Sequence, residues 1–113
     1  MRRLLRQVWI NLLNNAIRYT PPGGEIGVEL RQVGGEAVVR VWDTGSGMTP
    51  EVQSHIFEKY YQGAAEDKKH GLGLGLSIVH RIIELTEGRI EVDSQPQQGS
   101  SFTVYLPLNQ KGA

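Results

Sequence analysis

The sequence predicts an α+β fold, a two-layer sandwich in which two long helices lie on one face of a mixed, mainly antiparallel sheet of about four strands. Two segments show the apolar spacing of helices, and four shorter segments show strand patterns, three by alternation of apolar and polar residues and one by its valine content. The helical and strand segments do not alternate as βαβ units. Because the chain has 113 residues and 39% hydrophobic content, we expect residues 1–113 to form one domain.

The first half of the chain predicts one helix followed by two strands. Apolar residues recur at helical intervals from Arg2 to Tyr19, and the Pro-Pro-Gly-Gly cluster at residues 21–24 ends the pattern. The next segments alternate at residues 26–30 and are rich in valine at residues 36–42. Gly34-Gly35 between them predicts a tight turn that joins two strands.

The second half predicts a short helix, a long helix and two more strands. Thr49 is a typical N-cap, and Pro50 is typical of the first position of a helix. Residues 60–70 are polar and predict a loop, after which an amphipathic helix extends from Leu72 until Gly88 ends it. Residues 90–92 and 102–106 alternate as strands around a polar turn.

Composition excludes several classes of function. Twelve basic and twelve acidic residues cancel, so no field of the whole molecule favours nucleic acid or an anionic membrane. The absence of cysteine excludes disulfides and thiolate metal sites, and the three histidines lack the spacing of zinc ligands. No apolar segment approaches the ~20 residues of a membrane span. We therefore expect a cytoplasmic protein without a nucleic-acid partner or direct membrane contact.

A polar stripe on the first helix is a candidate binding surface. Asn11 and Asn15 are four residues apart and share one helix face, and Arg18 extends that face. Amide oxygens can bind magnesium when phosphates supply the remaining ligands, and a guanidinium group binds phosphate. The alternative interpretation of the asparagine pair is a solvated helix face.

Asp43 is the second candidate, because it ends a predicted strand just before Gly45 and Gly47. The glycines allow a sharp turn with positive φ, which would hold the carboxylate at the strand end as an acceptor for an exocyclic amine. One alternative is a plain turn. A calcium loop is another, but the acidic ligands that it needs at later positions are missing.

The third candidate is the glycine-rich start of the long helix. Glycines alternate with leucines from Gly71 to Leu76, where free N–H groups and the positive end of the helix dipole favour phosphate. The motif lacks the Gly-Lys-Ser/Thr of a P-loop, and no strand leads directly into it as in a dinucleotide fingerprint. A structural hinge remains the alternative.

In their order and spacing, these motifs resemble those of the ATP-binding domain of sensor histidine kinases, in the superfamily shared with DNA gyrase B, heat-shock chaperone ATPases and mismatch-repair ATPases. The resemblance covers nearly the whole chain and implies a Bergerat-type fold. Its segments are an asparagine box at Asn11–Tyr19, glycine boxes at Asp43–Met48 and Gly71–Leu76, a phenylalanine box at Ile56–Tyr61, and a last box at Gly99–Phe102 with its strand to Leu106-Pro107.

The resemblance implies a role for each matching residue. Asn11 and Asn15 would hold magnesium on the ATP phosphates, Arg18 would bind phosphate, Tyr19 would lie beside the adenine, and Asp43 would bind the adenine amino group. The other implied nucleotide contacts are those of Gly45, Gly47, Met48, Gly71, Leu72, Gly73, Leu74, Gly75, Leu76 and Thr103. Residues 62–72 would form a lid over the nucleotide.

Two departures from the family pattern bear on the reaction. Gln62 occupies a position where many members carry an arginine that reaches the terminal phosphate, and Lys59, Lys68 and Lys69 are candidates to supply its charge. Asn11 occupies the position where hydrolytic relatives carry a glutamate that activates water, and an amide cannot act as that base. The resemblance thus implies phosphoryl transfer, with catalytic roles for Asn11, Arg18 and Lys59, and not free hydrolysis.

The resemblance further implies an ATP-dependent protein histidine kinase domain of two-component signalling, which phosphorylates a separate dimerisation and phosphoacceptor domain and acts indirectly on a response regulator. No histidine here is followed by the acidic residue, Arg and Pro that mark the acceptor, so we expect no activity without that domain. The alternatives are a stand-alone serine kinase of the anti-sigma type, an ATPase, or a nucleotide-switched binding module without catalysis.

The resemblance starts at the asparagine box, whereas family members usually have a further strand and helix before it. We therefore expect an N-terminally truncated domain in which a sheet edge or a core face is uncovered, with modest stability or self-association as the consequence. The resemblance leaves open whether the parent kinase is anchored in the inner membrane.

Overall fold

The computed structural model describes residues 2–57 and 75–108. Its elements follow in the order α1 (Arg2–Tyr19), β1 (Ile26–Val33), β2 (Glu36–Asp43), α2 (Pro50–His55), α3 (Gly75–Leu85), β3 (Arg89–Gln95) and β4 (Gly99–Pro107). The predicted loop at residues 60–70 and the first residues of the predicted long helix lie outside these ranges.

The four strands form one sheet in the order β1-β2-β4-β3. Among the described residues every strand pairing is antiparallel, because β1–β2 and β3–β4 are hairpins and β2 pairs with β4 in the opposite direction. The predicted α+β sandwich is confirmed, with the correction that this sheet is antiparallel throughout and not mixed.

The core lies between the sheet and the two long helices. From α1, Val8, Leu12 and Ala16 are almost fully buried, as the helical spacing predicts. They pack in one cluster with residues of α3, of the inner sheet face and of the end of α2, namely Val41, Ile56, Val79, Ile82, Ile83, Phe102 and Val104. Helix α1 contacts α3 most extensively and also β2, whereas α3 contacts β3. Helix α1 is therefore positioned by both α3 and the sheet.

The ends of α2 and α3 are fixed by local hydrogen bonds. Thr49 caps α2 as predicted, since its hydroxyl accepts from the N–H of Val52 at 3.2 Å, and Pro50 is its first residue. At the end of α3 the left-handed residue is Glu87, with φ 64°, and not Gly88 as the sequence suggests. Gly88 follows it and donates its N–H to the Ile83 carbonyl at 3.1 Å, which closes a Schellman-type cap.

No helix within the described parts of the chain is both long enough and apolar enough to cross a bilayer.

Candidate functional site

The carboxylate of Asp43 lies at the end of β2 and is 7% exposed. Its Oδ1 accepts a hydrogen bond from the N–H of Gly45 at 2.8 Å, and the backbone N–H of Ser100 donates to the same carboxyl group. Burial raises the pKa of Asp43 above its ordinary value, although these two backbone hydrogen bonds act in the opposite direction. Asp43 is therefore a buried acceptor held in a fixed position, as a recognition group requires.

The loop after Asp43 passes close to two other segments. A Cβ on Gly45 would overlap the carbonyl oxygen of Tyr19, and Ser46 donates its N–H to that same oxygen at 3.1 Å. Gly47 has φ 68°, and a Cβ there would overlap the carbonyl oxygen of Gln95. The loop thus fits between the end of α1 and the β3–β4 turn only because both positions are glycine.

The polar face of α1 reaches the start of α3. The amide nitrogen of Asn11 donates to the carbonyl oxygen of Gly75 at 3.3 Å, while its Oδ1 accepts from Gln7 at 3.0 Å. Asn15 follows one helical turn later and is half-buried. The structure therefore brings Asn11 to the end of the second glycine box, although Asn11 and Gly75 are 64 residues apart.

These residues fit a magnesium ion only if the ligand supplies most of its coordination. Within the described ranges no group of three or more His, Cys, Asp or Glu side chains could hold a metal ion. The candidate metal ligands on α1 are the amide oxygens of Asn11 and Asn15. Since Mg²⁺ prefers six oxygen ligands, such a donor set suits an ion that is bound mainly by phosphates and water.

The remaining described candidates surround this arrangement. Tyr19 is half-buried and Arg18 is exposed on the last turn of α1, and Tyr19 meets the loop through its carbonyl group. Met48 and Leu76 are partly buried and pack against the core cluster. Tyr19, Asp43 and Gly45 thus lie together, whereas Asn11 lies about two turns earlier on α1, beside the start of α3.

Thr103 lies apart from this group, and its role as a nucleotide contact stays a prediction. In β4 the side chains alternate, so Phe102 and Val104 pack into the core while Thr103 lies on the opposite face. There it lines a shallow groove of about 300 Å³ together with Arg40 and Tyr105. In β4 the residues at Asp43 are Gly99, whose backbone lies against the Asp43 carbonyl group, and Ser100, on the helix-facing side.

Sequence reasoning also missed Ser94, which is 4% exposed at an inward position of β3. Its hydroxyl accepts from the N–H of Met48 at 2.8 Å, which ties the loop after Asp43 to the sheet. The available signal was a serine in phase with Ile90 and Val92, at a position where the strand pattern calls for an apolar residue.

Other predicted residues lie outside the described ranges. These are the catalytic candidate Lys59, the lid residues Gln62, Lys68 and Lys69, and Gly71, Leu72, Gly73 and Leu74 of the second glycine box. The described end of the phenylalanine box is Phe57, whose ring stacks on that of His80 in α3 with 5.2 Å between centroids. This contact connects the segment before residue 58 to the helix that follows the glycine box.

Comparison with protein families gives a match over residues 1–110 to the model described as histidine kinase-, DNA gyrase B-, and HSP90-like ATPase. The match includes every predicted motif, from the asparagine pair to the last strand.

Two curated relatives are named as sensory or histidine kinases. The chain is 45% identical over 106 residues to the adaptive-response sensory kinase SasA of Rippkaea orientalis. The aligned residues cover 93% of this chain and 27% of the relative. The chain is 38% identical over 105 residues to the circadian input-output histidine kinase CikA of Synechococcus elongatus, covering 91% of this chain and 14% of that protein. The chain thus spans about a quarter or less of these relatives.

Solved structures of histidine kinases share the fold. The mycobacterial sensor histidine kinase MprB superposes with a TM-score of 0.82 at 31% identity, over 95% of this chain and 74% of that chain. Full-length ShkA, solved in complex with AMPPNP, gives a TM-score of 0.80 at 32% identity, over 92% of this chain and 21% of that chain.

Proposed function

Since the chain belongs to the histidine kinase-, DNA gyrase B-, and HSP90-like ATPase family, we propose that it binds Mg-ATP and donates a phosphoryl group to a histidine on a separate dimerisation domain. The relatives that support this assignment are named as sensory or histidine kinases. A response regulator would receive the phosphoryl group in turn, and the cytoplasm is the compartment that supplies ATP.

The buried carboxylate of Asp43 is the observation that carries the proposal. One of its oxygens already accepts the N–H of Gly45, so the carboxylate is oriented before any ligand arrives. An adenine amino group could donate to a remaining lone pair, and a hydrogen bond to a charged acceptor in a buried site contributes about 1.5 to 3 kcal/mol. Met48 would lie against the apolar side of the base.

The polar residues of α1 suit the other end of the nucleotide. Asn11 and Asn15 would hold a magnesium ion that neutralises phosphate charge, and Arg18 would bind a phosphate oxygen. The backbone at Gly73 and Gly75 would approach the phosphates at the start of α3, where the helix dipole favours negative charge. Gly71, Leu72, Leu74 and Leu76 complete that segment in the proposal.

The proposed reaction is transfer and not hydrolysis. Asn11 has an amide where a water-activating base would need a carboxylate, so the pocket offers positioning and charge stabilisation instead. Lys59 is the proposed source of positive charge for the terminal phosphate. The acceptor histidine must then come from the dimerisation domain of the parent kinase.

Calorimetric titration with AMPPNP, with and without magnesium, tests the proposal. We expect Asp43→Asn to weaken binding about 10- to 100-fold, since the charge-assisted hydrogen bond is lost. Asn15→Ala should remove most of the magnesium dependence. The control is Asn14→Ala, because Asn14 is adjacent to Asn15 in the chain and is exposed. Unchanged affinity in both site variants would refute the site.

Transfer itself needs a second assay. The chain is incubated with labelled ATP and a dimerisation hairpin that carries the acceptor histidine, and label on the hairpin is expected. A chain that binds ATP but never labels any supplied hairpin would instead be a nucleotide-switched binding module.

A further inference from the structure

Ser94 connects two backbone segments beside Asp43, namely the loop that ends at Met48 and the start of β4 at Gly99 and Ser100. Its hydroxyl accepts the N–H of Met48 at 2.8 Å and donates to the carbonyl oxygen of Gly99 at 3.1 Å. It also lies 2.8 Å from the hydroxyl of Ser100. Because the single hydroxyl proton of Ser94 is directed to Gly99, the Ser100 hydroxyl is the donor of this last bond.

A second link reinforces the same junction. The side-chain amide of Gln53, in α2, donates to the Ser94 carbonyl oxygen at 3.0 Å and to the Met48 carbonyl oxygen at 3.4 Å. The main chain of Met48 is therefore held to β3 on both its N–H and its C=O sides. None of the buried side-chain polar atoms among the described residues lacks a partner, so the network is complete.

The network is coupled to the Asp43 carboxylate through neighbouring peptide groups. Ser100, whose hydroxyl bonds to Ser94, donates its backbone N–H to Asp43. Met48, whose N–H bonds to Ser94, ends the loop that begins at Asp43 and contains its other donor, Gly45. A shift of Ser94 would thus change the position of Met48 relative to the carboxylate.

We propose that Ser94 is a positioning residue that fixes Met48 against Asp43 and thereby sets the preference of the site for adenine over guanine. The proposal rests on the adenine site proposed above. Adenine offers a 6-amino donor to a carboxylate, whereas guanine presents a 6-oxo acceptor that the carboxylate repels. This discrimination requires that the base cannot move, since a loose loop would let guanine shift away from the unfavourable contact.

The test compares ADP and GDP binding by calorimetry for the unaltered chain and for Ser94→Ala. We expect the ratio of the two affinities to fall about tenfold, which is the value of one ordinary hydrogen bond. If Ser94→Ala only reduces the fraction of folded protein, both affinities fall by the same factor and their ratio stays the same. An unchanged ratio would therefore overturn the proposal.

Two further variants sharpen the comparison. Ser54→Ala is the matched control, because it removes an exposed hydroxyl that donates only to the Glu51 carbonyl oxygen within α2, at 2.7 Å; its ADP/GDP ratio should not change. Gln53→Ala removes the second link and leaves the buried serine in place, so it serves if Ser94→Ala fails to fold. It should lower the ratio in the same direction, and an unchanged ratio would count against the proposal.

Hydrogen exchange separates this proposal from the nucleotide site. Without any nucleotide, the Met48 amide should exchange at least about tenfold faster in Ser94→Ala, while the amide of Val79 in the core keeps its protection. If the unaltered chain shows no preference for ADP, the proposed function fails even where this exchange result holds. If Met48 protection is unchanged, the positioning role fails whatever the nucleotide preference.

Discussion

The Oδ1 atom of Asp43 accepts the N–H of Gly45 at 2.8 Å, two residues further along the chain. This bond orients the carboxylate but does not fully offset the loss of water around it, because burial still raises the pKa of Asp43. The residue proposed to select adenine therefore carries a stability cost in the nucleotide-free domain.

Asp43→Asn should increase the stability of the nucleotide-free chain at neutral pH while it weakens nucleotide binding. The asparagine keeps an oxygen for the Gly45 N–H and removes a buried charge, so we expect a gain of up to about 1 kcal/mol in the free energy of unfolding. Urea denaturation with and without AMPPNP measures both effects.

The pH dependence of stability in the same variant tests the direction of the pKa shift of Asp43. Because the folded-state pKa of Asp43 is raised, the folded chain binds this proton more tightly than the unfolded chain does. Stability therefore falls as the pH rises from the ordinary aspartate pKa to the raised value, and the loss is complete above it. The advantage of Asp43→Asn should disappear in acid. An advantage that is equally large at low pH would contradict this account.

Gly47→Ala should destabilise the domain by about 2 kcal/mol, because its Cβ would overlap the backbone of Gln95 and its φ is positive. It should also weaken AMPPNP binding, since the loop would move relative to Asp43. Gly35→Ala is the control: a Cβ there meets no atom within 4 Å. Thermal melts of both variants test this prediction. Equal melting temperatures would show that Gly47 does not lie close to the backbone of Gln95.

Glu87→Gly should stabilise the chain by about 0.5 to 1 kcal/mol, since Glu87 has φ 64° in the C-terminal cap of α3 and glycine adopts that conformation without strain. Glu87→Ala removes the same charge but keeps the strained φ, so it should give no such gain. Chemical denaturation of the three proteins provides the comparison. Equal gains from glycine and alanine would point to the charge and not to the backbone.

The chain alone should not phosphorylate itself when it is incubated with labelled ATP and magnesium. His80, in α3, stacks on Phe57, and none of the three histidines precedes an acidic residue followed by Arg and Pro. Label that resists base but is released by acid, as a phosphohistidine is, would disprove this prediction. A supplied acceptor hairpin serves as the positive control.

Self-association remains a prediction, and the structure suggests where it would occur. Strand β1 is an edge of the sheet formed by the described residues, and Val28 and Leu30 on it are 55% and 72% exposed. Exposed apolar edge strands pair readily with other chains. We expect a melting temperature that rises with protein concentration and a mass above that of the monomer in light scattering.

Leu30→Lys should return the chain to a monomer, because a charge on the edge strand opposes pairing. Leu85→Lys, a change of the same type at a half-exposed position of α3, should leave the association intact. If the unaltered chain is already a monodisperse monomer with a melting temperature independent of concentration, β1 does not pair.

The predicted elements and the order of the motifs were available from local patterns. Apolar spacing in α1 identified the buried residues Val8, Leu12 and Ala16, and Thr49-Pro50 identified the start of α2. These features depend on residues within one or two turns of each other, so periodicity and capping chemistry suffice to predict them. The match of the boxes to a family depended on the same local segments.

Only the tertiary structure decided which distant residues meet. The bond from Met48 to Ser94 joins positions 46 residues apart, and the bond from Asn11 to Gly75 joins positions 64 apart. Thr103 and Ser100 belong to one strand, yet only Ser100 lies at Asp43, because strand pairing and alternation assign them to opposite faces. The sequence by itself determined which polar and glycine-rich segments are candidates for nucleotide binding. The packing of α1 and α3 on the sheet determined which of the described segments lie together, since that depends on contacts that no local pattern contains.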